Sequence, residues 1–333
     1  MASFGSTGKG LIASRIALDN HYDISIASLS PNAGHTFYNN DGLKCITKLL
    51  PVTGILDKNS LIFLSANSVI DVNILEKEIK EFDIEYDRIF IHPRAVIVTE
   101  KDKELEQYKD GVKTIASTQS GTGAARASKI MRNAILAENC EQLKQFVNKI
   151  DISFLLDQGC SAIVETGQGV DLGLNHGLKY PYCTSQDPHP SNILGELGLH
   201  PKYFGKSIMS FKTFPIRVGN IVENNKEIGY SGPFWDDSKE ISFKDINVPN
   251  ELTTVTQRIR RIATFSMKQY INSLKLIQPD YIFLNFVNYY KNNFEKWKII
   301  FKSIRKPTHM GYGPYPWNVC EYNESNVSGI SKW

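Results

Sequence analysis

The chain has 333 residues, a formal net charge of +3, 41% apolar residues and 22% charged residues. So even a balance argues against a nucleic-acid binder and against a charged membrane-surface protein, so any basic groups that matter are few and local. The length and apolar content suffice for a large core, in one big domain or two small ones.

The five cysteines, Cys45, Cys140, Cys160, Cys183 and Cys320, are widely spaced and form no CxxC pair. That pattern argues against a disulfide framework or a zinc site and fits a reducing cytoplasm. No signal peptide and no apolar run near a membrane span is visible, so no membrane partner is expected. Two N-x-S sequons, at Asn323 and Asn326, carry no weight in a cytoplasmic chain.

In chain order, "GSTGKG" (Gly5 to Gly10) is followed by "LIASRIAL", which reads as a helix. Glycines let backbone approach an anion, and a helix amino terminus offers free N–H groups to phosphate. Lys9 adds a point charge. The full Walker spacing is absent, so a phosphate loop and a loose amino terminus both stand at this point. "PNAGHT" (Pro31 to Thr36) packs Asn, Gly, His and Thr into one loop, read as a surface turn or as the seat of a general acid, His35.

"LIFLSANSVI" (Leu61 to Ile70) and "RIFIHPRAVIV" (Arg88 to Val98) read as buried strand segments, with an amphipathic helix, "VNILEKEIKEF" (Val72 to Phe82), between them. "STQSGTGAARASKIMR" (Ser117 to Arg132) is a Gly-rich turn running into a helix, either a second anion site or an ordinary helix cap. Ala127 to Ile150 reads as mostly helical. "SAIVET" (Ser161 to Thr166) is a short strand entering the long loop "ETGQGVDLGLNHGLKYPYCTS" (Glu165 to Ser185), where Gln168 can both donate and accept at a purine edge. "ELTTVTQRIRR" (Glu251 to Arg261) is either a carboxylate-binding arginine loop or a strand with a basic face. "DYIFLNFVNYY" (Asp280 to Tyr290) reads as another buried strand, and "GYGPYPW" (Gly311 to Trp317) as a turn-rich loop. Strand–helix alternation of this kind predicts an α/β fold with a largely parallel sheet, whose sites lie at the carboxyl ends of strands.

Taken together and in this order, these segments resemble adenylosuccinate synthetase. Its GDEGKG, NAGHT, GTTGRGIGP-like, EGAQG…HGTYPYVTS and TTTGRxRR signatures correspond here to "GSTGKG", "NAGHT", "STQSGTGAA", "ETGQG…NHGLKYPYCTS" and "TTVTQRIRR". "KLLPVTGIL" (Lys48 to Leu56) and "FPIRVGN" resemble two further family segments, and the likeness runs from Gly5 to about Pro314. The resemblance implies one domain over residues 1–333, with a P-loop-NTPase-like, mostly parallel central sheet flanked by helices and interrupted by helical and loop insertions. It implies a Mg²⁺-dependent ligase in which a purine 6-oxygen takes the γ-phosphoryl group and L-aspartate then displaces it.

Roles follow by residue. Ser6, Lys9 and His35 are the implied catalytic positions. Ser6, Gly8, Lys9, Gly10, Thr36, Asn285, Asn288, Gly313 and Pro314 would hold the nucleoside triphosphate. Ser6, Asn32, Thr118, Arg132, Gln168, Thr184 and Gly219 would hold the nucleotide substrate, with Arg132 reaching a neighbouring subunit and so implying a homodimer. Thr253, Thr254, Val255, Thr256, Arg258 and Arg260 would grip aspartate, and Ser6 with Gly34 would bind Mg²⁺.

Three departures refine this. The family's catalytic aspartate is Ser6 here, which leaves room and an acceptor beside N1 for a 2-amino group. The T-K-x-D segment that reads GTP is "NFVN" (Asn285 to Asn288), so Phe286 and Asn288 favour ATP or dATP. The chain is also short, like the viral branch, which converts dGMP to N6-succino-2-amino-2′-deoxyadenylate in the host cytoplasm. The expected substrates are therefore dGMP, L-aspartate and ATP or dATP. The alternatives are a conventional enzyme acting on IMP and a non-catalytic purine-nucleotide binder. Finally, only Met1 to Phe4 precede the glycine loop. Residues 1 to 4 are expected outside any sheet and the central strand position vacant, the first strand being truncated or the native start lying upstream.

Overall fold

The computed structural model describes residues 3–108, 110–290 and 305–322. Met1 and the sequons at Asn323 and Asn326 lie outside the described residues. The fold is α/β, as expected. Four parallel strands form one sheet in the order Ile89–Ile91, Leu61–Leu64, Ile24–Ser28, Ala162–Thr166. A second four-stranded sheet runs Val319–Glu321, His309–Gly311, Tyr281–Asn285, Ile208–Lys212, with only its Val319–Glu321 pairing antiparallel.

The central strands are largely apolar and buried on both faces. Ile26, Ile62, Ile282 and Met310 are fully buried. Each such side chain contributes about 1.5–3 kcal/mol by leaving water. The helix Val72–Glu81 is amphipathic as expected: Leu75 and Ile79 enter the core, and Asp71 caps its first turn by accepting from the N–H groups of Asn73 and Ile74.

Among the described residues no strand pairing joins the two sheets. Ser3 and Phe4 sit in a turn outside every sheet. That segment is tied to the second sheet's side instead: Ser3 donates its N–H to Ser273 Oγ, and the Thr7 carbonyl accepts from Asn285 Nδ2 at 2.6 Å.

Two expectations change. Ala127–Ile150 is not mostly helical: the helix Thr122–Ile130 stops, and two 3₁₀ turns, Ala137–Asn139 and Glu141–Phe146, follow. Tertiary pairing overrides propensity here. The Ile97 N–H donates to the Ile135 carbonyl and the Ala137 N–H to that of Ala95, while Leu143 and Phe146 bury in the core. Likewise Asp280–Tyr290 is not one strand. It breaks after Asn285, where Phe286 turns left-handed (φ 60°) and Val287–Tyr290 continues as 3₁₀.

Candidate active site

At the carboxyl ends of the parallel strands lies a cavity of about 710 Å³. It is walled by the glycine loop, the NAGHT hairpin, Thr118, Gln168, the threonine–arginine loop and the Gly313–Pro314 turn.

The glycine loop is held open by left-handed residues, Gly5 (φ 78°), Ser6 (φ 51°) and Gly8 (φ 81°). It feeds the helix Lys9–Asp19, which has no side-chain cap and no acid in its first turn. Its uncapped N–H groups leave room for an anion. A Cβ on Gly8 would meet Asn285 Nδ2 at 2.8 Å, and one on Gly10 would meet the Thr36 carbonyl oxygen at 2.2 Å. Glycine is thus required where this helix crosses the hairpin.

Lys9 donates to the Gln168 carbonyl at 3.2 Å, and burial, then Arg260, lowers its pKa to about 8. The unfolded chain keeps that proton up to about pH 10.5. Between these values the unfolded state binds more protons, so stability rises with pH across the window. Urea unfolding of ligand-free protein at pH 7 and pH 9.5 is expected to show this gain. Lys9→Met is expected to remove part of it, to be more stable than wild type at pH 7, and to lose turnover. Lys212, whose pKa burial also lowers to about 8, keeps its share in both proteins.

The hairpin pairs His35–Tyr38 with Lys44–Thr47, and Thr47 is anchored by the buried Glu78. His35 is 6% exposed, so the surface-turn reading fails. Burial, then Lys9, lowers its pKa to about 3. Asn32 Oδ1 accepts from Ser30 Oγ at 2.8 Å and Gln168 Nε2 at 3.2 Å, joining hairpin loop to strand-end loop.

The Ser117–Arg132 segment behaves as a cap. The buried Glu106 carboxylate accepts from the N–H groups of Gly121, Gly123 and Ala124 at 2.8, 2.6 and 3.3 Å. The chain's own acid fills this helix terminus, so the second anion site is occupied from within. Glu106→Ala is expected to cost about 1–3 kcal/mol by stranding buried donors. A fall in melting temperature would register it.

In the threonine–arginine loop, Thr253 closes a turn by donating its N–H to the Arg258 carbonyl and sharing a hydroxyl contact with Thr256. Thr256 Oγ1 accepts from Arg258 Nε. Arg258 Nη2 donates to the carbonyls of Ala116 and Ser117, tying this loop to the one bearing Thr118. Arg260 Nη1 donates to Ser6 Oγ at 2.8 Å, and its Nε lies 3.9 Å from Glu251.

Of the expected residues, Ser6, Gly8, Lys9, Gly10, Asn32, Gly34, His35, Thr36 and Thr118 line the cavity. So do Gln168, Thr253, Thr254, Val255, Arg260, Asn288, Gly313 and Pro314. Asn285 does not: it is fully buried behind the glycine loop as a brace. Thr184, Gly219, Thr256 and Arg258 do not line it either, and Gly219 is pressed against the Ile259 carbonyl, 2.2 Å from where its Cβ would lie. Arg132 is exposed at the end of its helix, away from the cavity.

Sequence reasoning missed Tyr38, Lys44, Glu251 and Tyr289, which also line the wall. It also passed over Glu165, although an acid at a strand's carboxyl end before a glycine loop is a usable signal.

A model of the family described as adenylosuccinate synthetase matches residues 2–158 and 152–302. The N6-succino-2-amino-2′-deoxyadenylate synthase of Vibrio phage phiVC8 is 37% identical over 302 residues, 86% of this chain and 84% of that protein. The adenylosuccinate synthetase of Methanocaldococcus jannaschii is 31% identical over 272 residues, 80% of this chain and 74% of that one. The solved succinoaminodeoxyadenylate synthetase of cyanophage S-2L, bound to dGMP and to dATP as an energy donor, superposes with a TM-score of 0.87 at 30% identity. That superposition covers 98% of this chain and 95% of that one. The chain belongs to the adenylosuccinate synthetase family, ligases that form a carbon–nitrogen bond.

Proposed function

We propose that this enzyme joins L-aspartate to the 6-position of dGMP at the expense of ATP or dATP. The reading rests on one observation: a neutral Ser6, hydrogen-bonded by Arg260, stands in the cavity where the family carries its catalytic acid. A serine leaves space beside N1 for a 2-amino group and accepts a hydrogen bond from it. The phage relative's name and the dGMP in the cyanophage structure support the same substrate.

In this scheme N1 gives up its proton to water as the 6-oxygen attacks the γ-phosphorus, the bond to the β-bridging oxygen breaks, and ADP or dADP leaves. The aspartate amino group then attacks C6, loses a proton and expels phosphate. His35 would set its Nε2 against the 6-oxygen and γ-phosphoryl oxygens. Lys9 and the helix amino terminus would hold the phosphates, Gln168 and Asn32 the purine, and Arg260 with the threonine turn the aspartate carboxylates. Arg132, exposed on its own subunit, would reach the phosphate site of a second copy.

Among the described residues no group of three His, Cys, Asp or Glu is placed to hold a metal. The neutral donors Ser6 and Gly34 on the cavity wall fit an Mg²⁺ ion that is carried mainly by substrate phosphates and water. Bound there, the ion would neutralise charge on the transferred phosphoryl group.

The IMP reading lacks the acid at Ser6. The non-catalytic reading leaves Lys9, His35, Gln168 and Arg260 converging on one cavity for no purpose. A phosphate-release assay with aspartate, comparing dGMP, GMP, IMP and dIMP, each with ATP, dATP and GTP, tests the choice. Release with dGMP and an adenine donor is expected. Release only with IMP and GTP would overturn it.

A further inference from the structure

His35 is buried, yet neither of its ring nitrogens has a hydrogen-bond partner among the described residues. Neutral imidazole has one donor and one acceptor nitrogen, and the partner of one decides what the other offers. Glu165 faces this ring. Its Oε2 lies 3.9 Å from His35 Nδ1, and its side chain is 9% exposed.

Glu165 is not free to wander. Its other oxygen, Oε1, accepts from both the N–H and the hydroxyl of Thr53, each at 2.8 Å. Thr53 sits in the first turn of the helix Val52–Leu56, beneath the hairpin. The backbone of each partner is fixed as well. Glu165 pairs in register with Ala27 in the parallel sheet, and His35 pairs with Thr47. One carboxylate oxygen is therefore anchored while the other points toward the imidazole. The gap closes to hydrogen-bond length with a movement of about 1 Å.

We propose that Glu165 is the positioning residue for His35: its Oε2 accepts the Nδ1 proton, fixes the tautomer, and leaves Nε2 for the reacting oxygen in the cavity. The catalytic consequence rests on the ligase reading above; the tautomer does not.

Glu165→Gln is the informative variant. Its amide oxygen keeps the Thr53 hydrogen bonds, while its N–H₂ faces His35 and donates where the carboxylate accepted. Nitrogen-15 NMR of histidine-labelled protein reads the tautomer, with His35→Gln assigning the signal. The wild type is expected to carry hydrogen on Nδ1 and the variant on Nε2. Turnover with dGMP is expected to fall about 10²–10⁴-fold, as when an orienting acid becomes an amide. The KM values for nucleotide and aspartate should stay within about threefold, because substrate binding is untouched. Hydrogen on Nε2 in the wild type would overturn the proposal, as would a variant with wild-type tautomer and turnover. Should the variant fail to fold, the wild-type spectrum decides alone. Absence of turnover on dGMP in wild type would sink the substrate reading and leave the tautomer result standing.

Discussion

Replacing His35 with alanine is expected to lower turnover by about 10²–10⁴-fold, the usual worth of a positioned acid–base group. The side chain belongs to the cavity wall, and Glu165, the acid that faces it, keeps its two hydrogen bonds from Thr53 when the ring is lost. The hairpin that carries it is held elsewhere, by its backbone pairing and by Glu78 at Thr47. Fold and nucleotide binding should therefore survive. The variant carries a second signature. Burial, then Lys9, keeps His35 neutral down to about pH 3, whereas the unfolded chain protonates it near 6.5. Between these values the unfolded state binds the extra proton, so stability falls as pH falls. His35→Ala should lose less stability than wild type between pH 7 and pH 5. Steady-state phosphate release and urea unfolding at the two pH values measure both effects. Unchanged turnover would remove His35 from the mechanism.

How much of this was legible beforehand varies by the kind of physics involved. The glycine loop and NAGHT hairpin were visible because left-handed backbone and close packing restrict residue choice: Gly10 has no alternative against the Thr36 carbonyl. The parallel strands were visible because both faces are apolar. The 3₁₀ turns after Ile130 were not, since their helical-looking pattern is satisfied by backbone pairing to Ala95 and Ile97, which no local window contains. Glu106 was equally hidden: it looks like an ordinary surface acid in sequence and acquires its role from the N–H groups of Gly121 and Gly123, 15 and 17 positions away. Glu165 had a signal in its place at a strand end, but its partner Thr53 lies 112 positions away. Asn285 shows the converse. Its position in a motif suggested ligand contact, while the fold uses its amide to brace the Thr7 carbonyl.

Ser6→Asp is expected to lower kcat/KM for dGMP by about 10–200-fold, the range over which a modest steric change in a pocket discriminates. The backbone tolerates the change, because Asp is among the residues that accept the left-handed conformation seen at position 6 (φ 51°). Two consequences then compete. The longer, charged side chain occupies the space beside N1 that a 2-amino group needs, and it draws Arg260, already 2.8 Å from Ser6 Oγ, into a charge-assisted pair. Both effects work against dGMP and aspartate. Against them, a carboxylate accepts hydrogen bonds from N1–H and the 2-amino group of guanine. The first pair should win, because Arg260 is largely buried with few other anchors, its Nε on the Leu252 carbonyl and near Glu251, so a new charged partner at position 6 captures it. IMP lacks the 2-amino group and escapes the steric term while sharing the Arg260 term. The ratio of kcat/KM values, IMP over dGMP, therefore isolates the space beside N1 from the capture of Arg260. Direct competition between the two nucleotides should move that ratio upward in the variant. A variant that uses dGMP as well as wild type would mean that attraction outweighs crowding, and that Ser6 is not what admits the 2-amino purine.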